Sequence, residues 1–113
     1  MQYFNAVYCI CMDDRPGKKK NLLRQIKKHY PKLTPHVFQA VGTRHIRHHH
    51  TGCTLSHRTV IQDAKARGHE SILVLEEDAI LHKDFKNLLN KHVRELPKTP
   101  WDILYLGACV WNP

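Results

Sequence analysis

Short apolar runs alternate with segments of helical periodicity along this 113-residue sequence, and this alternation restricts the fold more than any other feature. Apolar runs rich in β-forming residues predict four strands, at residues 4–11, 36–41, 71–75 and 101–107. Apolar residues at helical spacing predict three helices, at residues 18–29, 53–67 and 84–96. The order β-α-β-α-β-α-β is typical of α/β proteins, in which helices pack on a mainly parallel sheet.

Several residues at the ends of these segments are local start and stop signals. Asp13 shortly before Pro16 is typical of a helix start, and Pro31 ends the first predicted helix. Gly68 follows the second predicted helix, as a C-terminal glycine commonly does. Residues 42–52 lack periodicity and are bounded by glycines, which predicts a loop rich in histidine.

Length and composition fit a single domain over residues 1–113, since 42% of the residues are hydrophobic and can form one core. No apolar run approaches the roughly 20 residues that a membrane span needs. The N-terminus lacks the pattern of a signal peptide. The four cysteines form no Cys-x-x-Cys pair, which favours free thiols in a reducing compartment. We therefore expect a cytoplasmic protein without a transmembrane segment.

The formal net charge of +8 is unevenly distributed along the chain. Eleven Lys and Arg residues and no acidic residue lie between Arg15 and Gln62, whereas seven of the ten acids lie between Asp63 and Glu95. A basic half suggests an anionic partner, which could be a nucleotide diphosphate, a nucleic acid or an anionic membrane. A solvated surface that keeps a small domain soluble explains the same charge.

Three acidic residues, Glu76, Glu77 and Asp78, directly follow the apolar run at residues 72–75. Ligands of open α/β sheets bind beyond the carboxyl ends of the strands, and carboxylate oxygens suit hard cations such as Mg²⁺ and Mn²⁺. Glu76 and Asp78 share one side if the segment stays extended. The sequence therefore predicts a metal site, the alternative being an acidic turn that only opens the next loop.

The segment before that strand offers a second group of polar side chains. Residues 52–57 begin the second predicted helix, and helix N-termini attract anions through their free N–H groups. Ser56 and His57 have hydrogen-bonding side chains there, although a packed His57 is the alternative. Cys53 and His57 lie on one helix face, where zinc could bind, but their spacing matches no finger or ribbon pattern.

Other common catalytic and nucleotide-binding motifs are absent from the sequence. It contains no Gly-x-Ser-x-Gly elbow, no Gly-x-Gly-x-x-Gly and no Gly-x-x-x-x-Gly-Lys. A serine triad, a dinucleotide site and a P-loop are therefore unsupported.

Three segments together resemble glycosyltransferase family 25, which includes lipooligosaccharide and collagen hydroxylysine galactosyltransferases. They are VYCICMDDRPGKK, GCTLSHRTVIQDAKARG followed by SILVLEEDAIL, and WDILYLG. The resemblance implies a GT-A type domain that uses a nucleotide-sugar, with Mn²⁺ or Mg²⁺ at the acidic triplet. It also implies that the family's domains extend beyond the WDILYLG segment, so we expect an acceptor side that is short or truncated, or one that is completed by a second copy of the chain.

The resemblance assigns roles to particular positions. It implies that Glu76 and Asp78 bind the metal, while Glu77 replaces the family's middle Asp. By the same comparison the donor contacts fall on six residues, which are Asp13, Arg15, Ser56, His57, Glu76 and Glu77. An inverting transferase needs a base that deprotonates the acceptor hydroxyl, and the sequence assigns none. His57 is a candidate only because of its expected position near the metal.

Three functional hypotheses follow from these observations. The first is a metal-dependent glycosyltransferase that transfers a hexose from a UDP-sugar to a hydroxyl of a glycan or protein. Galactose or glucose is the expected hexose. The second is a nucleotide-sugar-binding module without turnover. The third is a basic nucleic-acid-binding protein, for which the sequence lacks an aromatic platform or recognition helix.

Overall fold

The structure is a computed structural model that describes residues 3–12, 16–40, 49–96, 98 and 100–107, with the side chains of residues 49–52 also left undescribed. It contains three strands and three helices in alternation within these residues. They are β1 (Ala6–Cys11), α1 (Pro16–His29), β2 (His36–Gln39), α2 (His49–Ala66), β3 (Ile72–Glu76) and α3 (Phe85–Glu95).

The three strands form one parallel sheet in the order β2-β1-β3. Cys11 at the end of β1 aligns with Gln39 on one side, and Ile10 aligns with Glu76 on the other. The carboxyl ends of all three strands therefore lie at one edge of the sheet. This arrangement confirms the predicted α/β fold with a mainly parallel, Rossmann-like sheet.

β1 is buried along its whole length because helices cover both faces of the sheet. Its alternate residues Val7, Cys9 and Cys11 pack with side chains of α1 and α3, including Leu22 and Leu89. The intervening residues contact α2 instead, and this second cluster comprises Ala6, Tyr8, Ile10, Val60 and Ala64. A strand that is apolar on both faces is the form expected for the centre of a parallel sheet.

Two helices begin earlier than predicted. α1 starts at Pro16, which suits the first helical position because its missing N–H has no helical partner there. α2 starts at His49, so the predicted loop is wrong at residues 49–52, while residues 42–48 lie outside the described part. The predicted stop is confirmed, because Gly68 follows α2 with φ of +76°.

The predicted fourth strand is wrong. Residues 101–107 are described and form no strand, and Trp101, Ile103 and Tyr105 expose 52%, 63% and 75% of their surface. The alternation of apolar residues there suits a strand, but a strand also needs a neighbour whose N–H and C=O groups it can bond. No such pairing of β3 with residues 101–107 is present.

Candidate functional site

The acidic triplet lies at the carboxyl edge of the sheet, where β3 ends in a turn. Glu76 is the last residue of β3, and its carbonyl accepts a hydrogen bond of 3.0 Å from the N–H of Ala79. Glu77 and Asp78 therefore occupy the turn instead of an extended segment. The premise that the segment stays extended from Glu76 to Asp78 is wrong, so strand periodicity does not place these two side chains on one side.

Glu77 joins the ends of two neighbouring strands. Its side chain is buried, and its Oε2 accepts a hydrogen bond of 3.0 Å from the N–H of Met12. Its own N–H donates to the carbonyl of Ile10 at 3.1 Å. Burying a carboxylate is costly without such partners. Burial and the negative charge of Glu77 together raise the pKa of the Cys11 thiol.

Glu76 faces the other side of the sheet. Ile72 and Val74 pack on the α2 side, and the two-residue period of a strand places Glu76 with them. Its Oε1 accepts a hydrogen bond from the Cys53 Sγ at 3.4 Å and lies 3.1 Å from His57 Nε2.

These three side chains form a compact polar group at the surface, which we call the Cys53–His57–Glu76 triad. Their ligand atoms all lie within 4.8 Å of one another. The side chains of His57 and Glu76 are 39% and 50% exposed. Burial, the hydrogen bond to Glu76 and its charge raise the pKa of the Cys53 thiol. The arrangement combines a sulfur, a nitrogen and an oxygen ligand that solvent can reach.

The remaining predicted site residues are separated by the fold or lie outside its described part. Ser56 is buried on α2, with 4% of its surface exposed. Asp78 is exposed on the turn and, among the described residues, does not belong to the cluster formed by the triad. Asp13 and Arg15 lie outside the described residues. Their predicted roles in donor or metal binding stay predictions.

A cavity of about 320 Å³ opens beside the acidic turn, between the carboxyl ends of β1 and β2 and the first turn of α1. Met12 lines this cavity and also donates its N–H to Glu77, so one hydrogen bond links the cavity wall to the turn. The cavity is lined by Cys11, Met12, Pro16, Lys19, Val37 and Gln39. Among the described lining residues Lys19 is the basic one, and an amine beside a helix N-terminus suits an anionic ligand.

Sequence reasoning missed Lys19 and Gln25 as contributors to this edge of the sheet. The Gln25 Nε2 on α1 donates to the carbonyl of Ala79 at 3.0 Å, and its Oε1 accepts from the N–H of Leu81 at 2.6 Å. Gln25 thus fixes the chain just after the acidic turn. The position of Lys19 in the helix that follows the first strand could have indicated its role, whereas no sequence signal indicates that of Gln25.

Fold and site together define a Rossmann-like α/β protein with a candidate site at the carboxyl ends of its parallel strands. Residues 18–113 match the model of glycosyltransferase family 25, described as an LPS biosynthesis protein. The chain belongs to this family, as the three sequence segments predict.

Similar proteins are known from mammals. The chain is 36% identical over 64 residues to the probable inactive glycosyltransferase 25 family member 3 of Bos taurus and to the inactive glycosyltransferase 25 family member 3 of Homo sapiens. The Mus musculus protein is 33% identical over the same length. Each match covers 55% of this chain but only 11% of the relative. No solved structure matches the chain significantly. Within the described residues, no helix is long and apolar enough to cross a membrane.

Proposed function

We propose that this chain carries the donor-binding part of a metal-dependent glycosyltransferase. The donor is a UDP-sugar whose hexose is galactose or glucose, and the acceptor is a hydroxyl of a glycan or a protein. Membership of family 25 supports transferase chemistry. The observation that carries the proposal is the acidic turn beside the cavity at the carboxyl edge of the sheet.

The residues around this edge fit the parts of a nucleoside diphosphate sugar. The cavity offers room beside the basic Lys19, which suits a phosphate, and the exposed acids lie at the same edge of the sheet. Glu77 holds the turn against β1 through Met12, so the position of the acids relative to the cavity is fixed by a hydrogen bond.

Glu76 and Asp78 would hold Mn²⁺ or Mg²⁺. Both carboxylates are exposed at the turn and supply the hard oxygen ligands that these ions prefer. When bound, the ion neutralises charge on the diphosphate leaving group. Glu76 lies on β3 and Asp78 on the turn, so binding requires the exposed Asp78 side chain to orient toward Glu76.

His57 is our candidate for the base that deprotonates the acceptor hydroxyl. Its Nε2 lies 3.1 Å from Glu76 Oε1. In the tautomer that donates from Nε2 to this carboxylate, Nδ1 is left as the basic nitrogen. His57→Gln should then abolish transfer while Mn²⁺-dependent UDP binding persists.

A second candidate function is nucleotide-sugar binding without turnover. The relatives named above are described as inactive or probably inactive, and each match covers only 11% of their length. This function requires the same cavity and acids but no base.

Titration calorimetry with UDP, with and without Mn²⁺, tests the shared donor site. We expect binding that requires Mn²⁺ and that weakens by about tenfold or more, roughly 1.4 kcal/mol, in the Glu76→Ala/Asp78→Ala double variant. Glu70→Ala, another exposed acid, is the control and should bind as the wild type does. Equal UDP affinity with and without the ion would refute the metal site.

Hydrolysis of a panel of UDP-sugars separates the two candidate functions. A transferase should release UDP slowly without acceptor, and the double variant should lose this release. Metal-dependent binding with no hydrolysis of any donor would favour the binding module.

A further inference from the structure

We propose that Cys53, His57 and Glu76 form a binding site for Zn²⁺ that differs in its ligands from the proposed Mn²⁺ site. The two metal sites share Glu76, and the zinc site also takes up His57, the residue proposed above as the base, so zinc binding and transfer exclude each other. The zinc site uses a thiolate and an imidazole from α2, whereas the site proposed for the donor uses the carboxylate of Asp78.

The spacing of two of the three pairs of ligand atoms matches what zinc requires. Zn–S bonds of about 2.3 Å and Zn–N or Zn–O bonds of about 2.0 Å, at tetrahedral angles, separate neighbouring ligand atoms by roughly 3.3 to 3.5 Å. The observed distances are 3.4 Å from Cys53 Sγ and 3.1 Å from His57 Nε2 to Glu76 Oε1. These two pairs therefore already have about the separation of neighbouring zinc ligands, and the third pair, from Cys53 and His57, lies within 4.8 Å.

The two elements that carry these ligands hold them in place. Cys53 and His57 lie one helical turn apart on α2, so their side chains project from the same face. Glu76 ends β3, whose apolar side chains pack against α2 through Val60 and Ala64. A site built on a helix and a strand loses little conformational entropy when it binds the ion.

The chemistry of the group favours zinc over harder cations. Thiolate and imidazole ligands select Zn²⁺ and Co²⁺, whereas carboxylates alone suit Mg²⁺ and Mn²⁺. On binding, the Cys53 thiol releases its proton to solvent and the sulfur–zinc bond forms, without any redox change. Because the triad is partly exposed, the ion can enter, and a water molecule can supply the fourth ligand.

Cobalt provides a direct readout of this site, because a thiolate bound to Co²⁺ gives a charge-transfer band in the near ultraviolet. We expect one Co²⁺ per chain with this band, and its displacement by equimolar Zn²⁺. Cys53→Ser should remove the band, and Cys109→Ser should leave it unchanged. A band that survives in Cys53→Ser, or that is lost in Cys109→Ser, would overturn the proposal.

Competition with a chromophoric chelator measures zinc affinity in the variants. His57→Gln and Glu76→Gln should weaken binding by about tenfold or more, since loss of even an outer partner of a metal ligand costs that much. The histidine run near the start of α2 is tested by a His48→Ala/His49→Ala/His50→Ala variant, which should keep wild-type affinity. Binding lost in that variant but kept in His57→Gln would assign zinc to the run and refute the triad.

One further variant separates this site from the proposed donor site. Asp78→Asn should retain zinc affinity within about twofold while it weakens Mn²⁺-dependent UDP binding. Failure of UDP binding in the wild type would refute the proposed function and leave the zinc site standing. Equal loss of zinc affinity in Asp78→Asn and His57→Gln would show that the triad is not the ligand set.

Discussion

At the scale of single residues, the neighbours Glu76 and Glu77 have the same chemistry but meet different parts of the molecule. Glu76 is half-exposed beside Cys53 and His57, whereas Glu77 is buried against the end of β1. Identical side chains therefore separate into one that is exposed to the proposed ligands and one that links two strands. Glu77 stands where the resemblance to the family implies an Asp in the middle of the acidic triplet. It is also the residue whose contacts lie inside the protein.

Loss of Glu77 should destabilise the fold more than loss of Glu76. Glu77→Ala leaves the Met12 N–H without its acceptor at a partly buried position, and we expect a decrease of about 1–3 kcal/mol in the free energy of unfolding. Glu76→Ala removes exposed contacts and should change it by less than about 0.5 kcal/mol. Urea denaturation measures both, and equal effects would contradict the structural role of Glu77.

Asp63 should make the stability of the protein depend on pH in the acid range. Hydrogen bonds from the Tyr8 hydroxyl at 2.7 Å and from Arg67 hold the pKa of the Asp63 carboxyl below its ordinary value of 3.8. Since the folded-state pKa is lowered, the stabilisation is present above pH 3.8 and is lost as pH falls through the lowered value.

Tyr8→Phe removes the hydrogen bond that contributes most to the lowered pKa of Asp63. We expect a lower free energy of unfolding at neutral pH and a shallower decrease below about pH 4 than in the wild type. Urea denaturation at a series of pH values is the measurement, with Tyr30→Phe as a control that leaves the bond to Asp63 intact. If the free energy of unfolding varied with pH in parallel for wild type and Tyr8→Phe, the Tyr8–Asp63 hydrogen bond would not contribute to the pH dependence.

At the scale of elements, α2 depends on a glycine just beyond its end. Gly68 has φ of +76°, and an added Cβ would meet no atom within 4 Å, so only the backbone conformation opposes a side chain. Gly68→Ala should cost about 1–2 kcal/mol because of this left-handed conformation. Gly17→Ala, in α1, has equally free space and should stabilise by about 0.5–1 kcal/mol. Thermal unfolding should show a lower midpoint for Gly68→Ala and a higher midpoint for Gly17→Ala than for the wild type. Midpoint changes of the same sign would contradict this explanation.

Among the described polar side chains of α1, Gln25 alone forms hydrogen bonds with the chain that leaves the acidic turn. Gln25→Met keeps the length of the side chain but removes its hydrogen bonds to Ala79 and Leu81. We expect a loss of about 1–3 kcal/mol and faster hydrogen exchange of the Leu81 amide.

Gln62→Met on the exposed face of α2 is the matched control for Gln25→Met and should change neither quantity appreciably. Unchanged exchange at Leu81 in Gln25→Met would show that the turn is held by other contacts.

At the scale of the whole molecule, the cavity joins residues from β1, α1 and β2, and the cation Lys19 lies at its wall. Lys19→Gln should weaken UDP binding by about tenfold, because it removes a positive charge from the position proposed for the phosphates. Lys20→Gln removes the same charge from an exposed neighbour and is the control. Calorimetry at low and high salt measures both. Equal effects of the two variants would indicate that only the general basic charge matters.

The sequence by itself determined the α/β class, the three helices, three of the strands and the family. Each of these depends on local information: apolar periodicity, a stop such as Gly68, or a contiguous segment such as GCTLSHRTVIQDAKARG. It also located the acids at the end of β3, because the strand ends where its apolar run ends.

The tertiary structure alone decided which of these residues meet. Glu76 reaches Cys53 and His57, and Glu77 reaches Met12, because strand register and helix packing bring distant segments together. The same dependence explains the error at residues 101–107, whose strand-like pattern finds no pairing with β3. Periodicity reports which face of a segment is apolar, whereas a contact depends on where the partner lies, and that is fixed only when the chain folds.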